Sequence, residues 1–296
     1  MNFGKGRLPH LTAFLVICMT WGLSLVVAYD LLDTGIPPFF LVAVTYGIGA
    51  FTLFFVRMIH GSAPKISSGE LRYGLAVGLL IFAAFGLQTA GLGYTTPARS
   101  GLLTVLYVLF VPLIISAVSR RPSPRSVVFA LIGFAGVFMM SGTLGGDGMN
   151  IGDILTIMCA IAFAIHFVAL EKLSPRFNTL NFTLVQMIGA AAFAVLVSVV
   201  SETAVYKGMD LLGSWAGLLF MGLIVTGAGF FVQTAVQKKI PSTTISVMCC
   251  TESVFALLFS WLLGYDVITA PLLIGAALIV SSTVLSSLYE RRELID

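Results

Sequence analysis

Ten apolar segments follow one another through this chain of 296 residues, each near the ~20 residues that a helix needs to cross a bilayer core. They run at about 8–29, 36–58, 71–93, 97–119, 125–143, 150–171, 179–201, 211–236, 241–262 and 270–288. With the N-terminus placed in the cytoplasm, the short connections sort by charge. One side collects Lys5, Arg7, Arg57, Lys65, Arg72, Arg120, Arg121, Arg125, Lys172, Arg176, Lys238, Lys239, Arg291 and Arg292. The other keeps only Arg99 and Lys207 of the sixteen Lys and Arg, beside Asp30, Asp33, Asp147, Glu202, Asp210 and Asp266. Short loops obey the positive-inside rule. The expectation is an all-α integral membrane protein of ten transmembrane helices, with both termini cytoplasmic.

Composition points the same way. The chain is 58% hydrophobic and 10% charged, whereas soluble domains carry about 25% charged residues. The residues left over after ten spans form loops too short for a catalytic or nucleotide-binding domain. The net charge of +3 reflects basic loops facing anionic lipid headgroups, and implies no nucleic-acid partner. The first segment is preceded by Lys5 and Arg7, like a secretory signal. Its apolar run from Leu11 to Ala28 outlasts a signal h-region of roughly 7–15 residues, so it reads as a retained helix. Cys18, Cys159, Cys249 and Cys250 all fall inside spans, in no metal-binding or disulfide-forming pattern, and read as buried packing residues.

The ten segments divide into two units of five, at 8–143 and 150–288. A shift of 145 positions lays Gln88-Thr89-Ala90 on Gln233-Thr234-Ala235, Leu109-Phe110 on Val254-Phe255, and Tyr107 on Glu252. With a slightly smaller shift, Thr20-Trp21-Gly22-Leu23-Ser24 meets Ala162-Phe163-Ala164-Ile165-His166. Five is odd, so the second unit must enter the membrane in the opposite sense. Inverted repeats of this kind place a substrate site near the midplane, where the repeats meet.

Several stretches resemble the EamA-type permeases of the drug/metabolite transporter superfamily over nearly the whole chain. They are Trp21-Gly22, Gln88-Thr89-Ala90-Gly91-Leu92-Gly93-Tyr94-Thr95-Thr96, Gly152-Asp153-Ile154, Gln237-Lys238-Lys239-Ile240-Pro241, Thr251-Glu252-Ser253-Val254-Phe255-Ala256-Leu257-Leu258 and Trp261-Leu262-Leu263-Gly264. The chain departs from the family pattern at Phe163, where a Trp is usual, and at Ser253, where Pro is usual. It departs again after Gly264, where Tyr265 precedes Asp266. The resemblance implies a ten-helix carrier of the bacterial inner membrane, often an exporter of amino acids or other small metabolites.

Polar groups within the spans are the candidates for chemistry. Glu252 lies about eleven residues into its segment, near the midplane at ~1.5 Å per residue. An ionised group there costs at least ~2.5 kcal/mol unless it faces a cavity or a partner. It is either a proton-titrating or substrate-binding carboxylate, or a neutral acid bonded between helices. His166 is either a protonation switch or a neutral ring satisfied by a neighbour. Gln88 and Gln233 hold matching repeat positions, suited to a substrate or to interhelical contacts. Tyr107, as the repeat mate of Glu252, and Trp21 are candidates for lining the cavity. Arg99 attracts an anion or pairs with an acid at the outer mouth, or snorkels to the headgroups, which its depth favours. Pro112 removes a helix hydrogen bond inside its segment and is a hinge candidate. Gly74-x-x-x-Gly78 and Gly213-x-x-x-Gly217 permit close helix approach, compatible with a monomer or a homodimer.

No Walker, GxSxG, HExxH or Cys/His cluster is present, so no cofactor or metal is implied. The leading expectation is a secondary transporter of a small metabolite working by alternating access, with proton coupling through Glu252. A facilitator of the same fold without ion coupling is the alternative. An intramembrane lipid-modifying enzyme would need clustered polar residues at a membrane–water boundary, where the sequence shows only scattered ones.

Overall fold

Several helices of this chain begin where the sequence supplies a cap. In the computed structural model, which describes residues 8–60, 64–119, 128, 131–133, 135–136, 139 and 149–293, Ser67 opens a helix with a capping box: its hydroxyl accepts from the Glu70 N–H, and the Glu70 carboxylate accepts from the Ser67 N–H. Asn150 and Asp153 repeat the arrangement, and Asn178 accepts from the N–H of Asn181. Such caps satisfy amides that have no partner within the helix. Gly35 and Gly264, each at φ +82°, turn the chain in the left-handed region just beyond helix ends.

The described elements are α1 (Leu8–Asp33), α2 (Pro38–His60), α3 (Ser68–Leu92), α4 (Pro97–Thr104), α5 (Tyr107–Ser119), α6 (Ile151–Leu173), α7 (Thr179–Ser201), α8 (Trp215–Leu219), a π-helix (Phe220–Ala228), α9 (Gly229–Gln237), α10 (Ser242–Leu262) and α11 (Ala270–Glu293). Among the described residues, eight stretches are long and apolar enough to cross a membrane, and Ala270–Ser282 is a shorter apolar helix. Most of the segment expected at 125–143 lies outside the described residues. So do Lys5, Arg7, Arg120, Arg121, Arg125 and Asp147. The helical residues that are described there pack on the last helix: a Cβ on Gly136 would lie 2.7 Å from the carbonyl oxygen of Gly275.

Two expected spans are not continuous α-helices. The segment at 97–119 breaks at Val105–Leu106, where tighter bonds such as Val108 N–H to Val105 O (2.9 Å) replace the α pattern. Pro112, buried within α5, has no N–H to give to the carbonyl of Val108, and its ring crowds that carbonyl. The segment expected at 211–236 becomes helical only from Trp215 and runs through nine π-helical residues before regaining α geometry.

Packing follows a regular scheme. α2 lies along α7 and the π-helix, α3 along α6 and α7, α1 along α10, and α4 and α5 along α6 and α10. Glycine sets the closest contacts. A Cβ on Gly22 would come within 2.7 Å of the Glu252 carbonyl oxygen, one on Gly101 within 2.7 Å of Ala256 Cβ, and one on Gly222 within 2.4 Å of Ile48.

Each end of the bundle is clasped by polar side chains that reach between helices. At the end carrying Arg57, Lys172 and Lys238, the Arg57 guanidinium donates to Asn181 (3.0 Å), and Glu70 accepts from the Asn178 N–H (3.0 Å). Glu171 there accepts from the N–H of Ser242 (2.8 Å). Beside them Lys238 donates to the Phe177 carbonyl at 2.7 Å; burial draws its pKa down, and the Glu70 carboxylate partly offsets this. At the opposite end Glu202 accepts from the N–H groups of Phe39 and Phe40 (2.9 and 2.8 Å), and Asp266 from that of Ala98 (3.1 Å). In each case a carboxylate meets the positive end of another helix, a contact worth about 0.3–1 kcal/mol or somewhat more when partly buried.

Candidate functional site

α10 wedges between α1 and α4 because Gly22 and Gly101 present no side chains to it. That placement carries Glu252 to the wall of a small central cavity. Glu252 is buried, 8% exposed as a residue, and no hydrogen bond to its carboxyl is found among the described residues. Ser24, Gln88, Tyr107 and Gln233 complete the polar lining; Trp21, Phe85, Phe163, Phe167 and Phe230 supply aromatic walls.

The walls are fixed by ring packing. Tyr107 stands edge-on to Phe167 at 5.0 Å between centroids, and Phe85 edge-on to Phe163 at 5.0 Å. Trp21 meets Phe230 at 5.8 Å, and its indole N–H donates to the carbonyl of Val225 at 3.1 Å. Val225 lies in the π-helix, whose widened register presents a carbonyl to a neighbouring helix. Gly229 leaves room for the indole, since a Cβ there would lie 2.8 Å from its nitrogen.

The glutamines are held by local partners. Gln88 donates to the Thr104 hydroxyl at 3.0 Å. Gln233 donates to Gln237 at 3.1 Å, which in turn donates to the Phe167 carbonyl at 3.1 Å; the Gln233 carbonyl oxygen has no partner. The Tyr107 hydroxyl is likewise unpartnered. The site therefore offers a carboxyl, a hydroxyl and an amide oxygen, none engaged by another described residue, within an aromatic box. It suits a small molecule that combines apolar surface with hydrogen-bond donors or a positive charge.

Of the residues singled out from the sequence, Glu252, Tyr107, Trp21, Gln88 and Gln233 line this cavity. His166 does not: it is fully buried behind the wall, its ring against Phe167 (5.8 Å) and Phe230 (6.0 Å). The snorkelling reading of Arg99 is corrected. Arg99 is 4% exposed and forms a buried ion pair with Asp153, which also caps α6. Depth alone favours snorkelling, but an acid on a different helix supplies a partner that depth does not register. Pro112 is not part of the lining, and the helix break falls before it, immediately ahead of Tyr107. Ser24, Phe85, Phe163, Phe167 and Phe230 were not expected as site residues. Ser24 and Phe163 stand in the stretches overlaid between the two units, which was the one available signal.

The loop after Gly264 also differs from the family pattern in what it holds. Asp266, not Tyr265, reaches into the bundle, accepting from Ala98 and from the Ser260 hydroxyl. Tyr265 donates its hydroxyl to Asp30, and that hydrogen bond, with some burial, raises its pKa to about 12.

Comparison with known proteins gives a consistent picture. The model of the EamA-like transporter family matches residues 8–142 and again 150–288. An "Uncharacterized transporter" of Archaeoglobus fulgidus is 28% identical over 96% of this chain and 88% of its own. "Uncharacterized transporter YoaV" of Bacillus subtilis is 24% identical, covering 93% and 94%. A "Biotin transporter" of Escherichia coli K12 is 23% identical, covering 94% and 92%. A crystal structure of another protein superposes with a TM-score of 0.72 at 21% identity, over 96% of this chain and 97% of its own, which shows a shared fold.

Proposed function

Because the chain belongs to the EamA-like transporter family, multi-pass membrane proteins that carry small molecules and are not enzymes, we propose that it is a ten-span secondary carrier of the bacterial inner membrane with both termini inside. It moves a small metabolite by alternating access, and Glu252 couples that movement to a proton. The observation that carries this reading is a carboxyl with no partner among the described residues, in a cavity walled by aromatic rings that Tyr107 lines from the other half of the chain.

Packing supports the two inverted repeats. Two of the larger contacts recur with the halves exchanged: α1 lies on α10 as α6 lies on α4 and α5, and α3 lies on α7 as the π-helix lies on α2. Arg57 and Glu202, separated by the same offset as Gln88 and Gln233, each reach from the end of one helix to the start of its partner. The family match, made once to each half, agrees.

Glu252 titrates within its cavity or meets a cationic group of the substrate. Where a proton and a cationic group of the substrate compete for this one carboxylate, occupancy by one excludes the other, which is the requirement for antiport. The test is counterflow and net transport in proteoliposomes across a panel that includes amino acids and biotin, the latter because relatives of low identity carry that name. Expected is saturable counterflow of at least one compound, with net movement driven by a pH gradient. Counterflow indifferent to the gradient would establish a facilitator and remove the coupling role of Glu252; a panel without counterflow would remove the carrier reading for those substrate classes.

A further inference from the structure

Behind the aromatic wall lies a second group of polar side chains. Tyr46 of α2, His166 of α6 and Gln186 of α7 are each no more than 1% exposed. Among the described residues, the Tyr46 hydroxyl, both ring nitrogens of His166 and both amide atoms of Gln186 find no hydrogen-bond partner. Gln186 comes close to the His166 ring without closing a hydrogen bond. Both rings flank Phe230, Tyr46 at 5.8 Å and His166 at 6.0 Å between centroids, and Phe230 is itself part of the cavity wall.

Five orphaned polar atoms on three helices are out of keeping with an interior that exists only to pack, because buried polar groups are almost always satisfied. Replacing all three side chains by apolar ones of similar size would be the more stable solution. Their chemistry defines what they can take. A phenol, an imidazole in its uncharged form and a primary amide each donate and accept hydrogen bonds. The matching group is therefore neutral and does both as well, such as an amide or a hydroxyl, and a carboxylate or an ammonium is unsuited.

We propose that Tyr46, His166 and Gln186 form a polar subsite, reached from the central cavity past Phe230, that binds the neutral hydrogen-bonding end of the transported molecule. This rests on the carrier reading above and deepens it. The substrate is bifunctional, with a cationic or donor-rich group at Glu252 and a neutral polar group across the Phe230 ring.

The test is thiol accessibility in the full-length protein, with Cys18, Cys159, Cys249 and Cys250 replaced by alanine and methyl methanethiolsulfonate as the small neutral probe. Ser24→Cys reports the central cavity, Gln186→Cys and Tyr46→Cys report the subsite, and Ala194→Cys on α7 reports a packed position of the same burial. A packed thiol reacts only through local opening, so at least one subsite cysteine is expected to react about tenfold or more faster than Ala194→Cys. Using two subsite positions covers the failure of one to fold, judged by its melting temperature. Subsite cysteines as inert as Ala194→Cys, while Ser24→Cys reacts, would overturn the subsite alone; an inert Ser24→Cys would overturn the cavity on which it depends. With a transported compound in hand, His166→Leu with Gln186→Leu is expected to raise KM severalfold while Vmax and melting temperature hold. An unchanged KM would show that the transported molecule does not use these groups.

Discussion

Arg99 and Asp153 illustrate what a single residue can and cannot reveal. In sequence, an arginine two positions after Pro97 is a charge near a span end, and depth alone favours a side chain reaching for headgroups. In the fold it is buried with an acid that lies on α6. Removing one member of such a pair strands the other without water, at a cost of about 3–5 kcal/mol. Arg99→Met is therefore expected to lower the melting temperature sharply. Asp153→Asn, which keeps the cap on α6, should cost less. The double variant should be milder than the sum of the two, because the stranded charge is gone. Strictly additive shifts would show that the pair is not coupled. Glu252 was legible from its residue type, since a midplane acid needs a reason; its freedom from any protein partner is a property of the packing and left no trace in the sequence.

At the scale of the element, long apolar segments located most of the helices. The capping boxes Ser67-x-x-Glu70 of α3 and Asn150-x-x-Asp153 of α6 stand in the sequence too, but the expected starts of these helices rest on apolarity alone. Irregularities inside the segments were illegible. The break at Val105–Leu106 and the π-helical turns at Phe220–Ala228 lie in uninterrupted apolar runs, where periodicity carries no signal. For the same reason the faces that line the cavity could not be read, and Phe85, Phe167 and Phe230 were indistinguishable from lipid-facing phenylalanines such as Phe51 and Phe55. Gly22 sets how closely α1 and α10 approach, beside Glu252. Gly22→Val forces atoms into a space where even a Cβ would lie 2.6 Å from Phe255 Cβ. Overpacking of this kind costs about 1–3 kcal/mol. It is expected to lower the melting temperature by several degrees and to impair transport more than Ala256→Gly, which loosens the neighbouring contact between α10 and α4. Wild-type transport in Gly22→Val would show that this contact does not position Glu252.

For the whole molecule, charge asymmetry is legible in the sequence, and with the proposed five spans per half it predicts an orientation. Cysteines introduced at Lys65 and Lys239 should be protected from an impermeant thiol reagent in intact cells, while one at Asp266, or in its exposed neighbour Val267, should react from outside. Arg121 and Asp147 extend the test to connections outside the described residues. Labelling at Lys65 or Arg121 from outside would contradict the ten-span arrangement, since one loop cannot change sides without its neighbours.

The account as a whole turns on Glu252 as the group that proton and substrate share. The most direct measurement compares Glu252→Gln with the native protein in proteoliposomes, following both substrate exchange at equal pH and net transport driven by a pH gradient. Gln keeps the volume and the hydrogen-bonding capacity but cannot ionise. The account predicts that gradient-driven transport falls to background while the protein keeps its melting temperature. Surviving exchange assigns the carboxyl to the proton, and lost exchange assigns it to a cationic substrate. Full gradient-driven transport in Glu252→Gln would contradict the account.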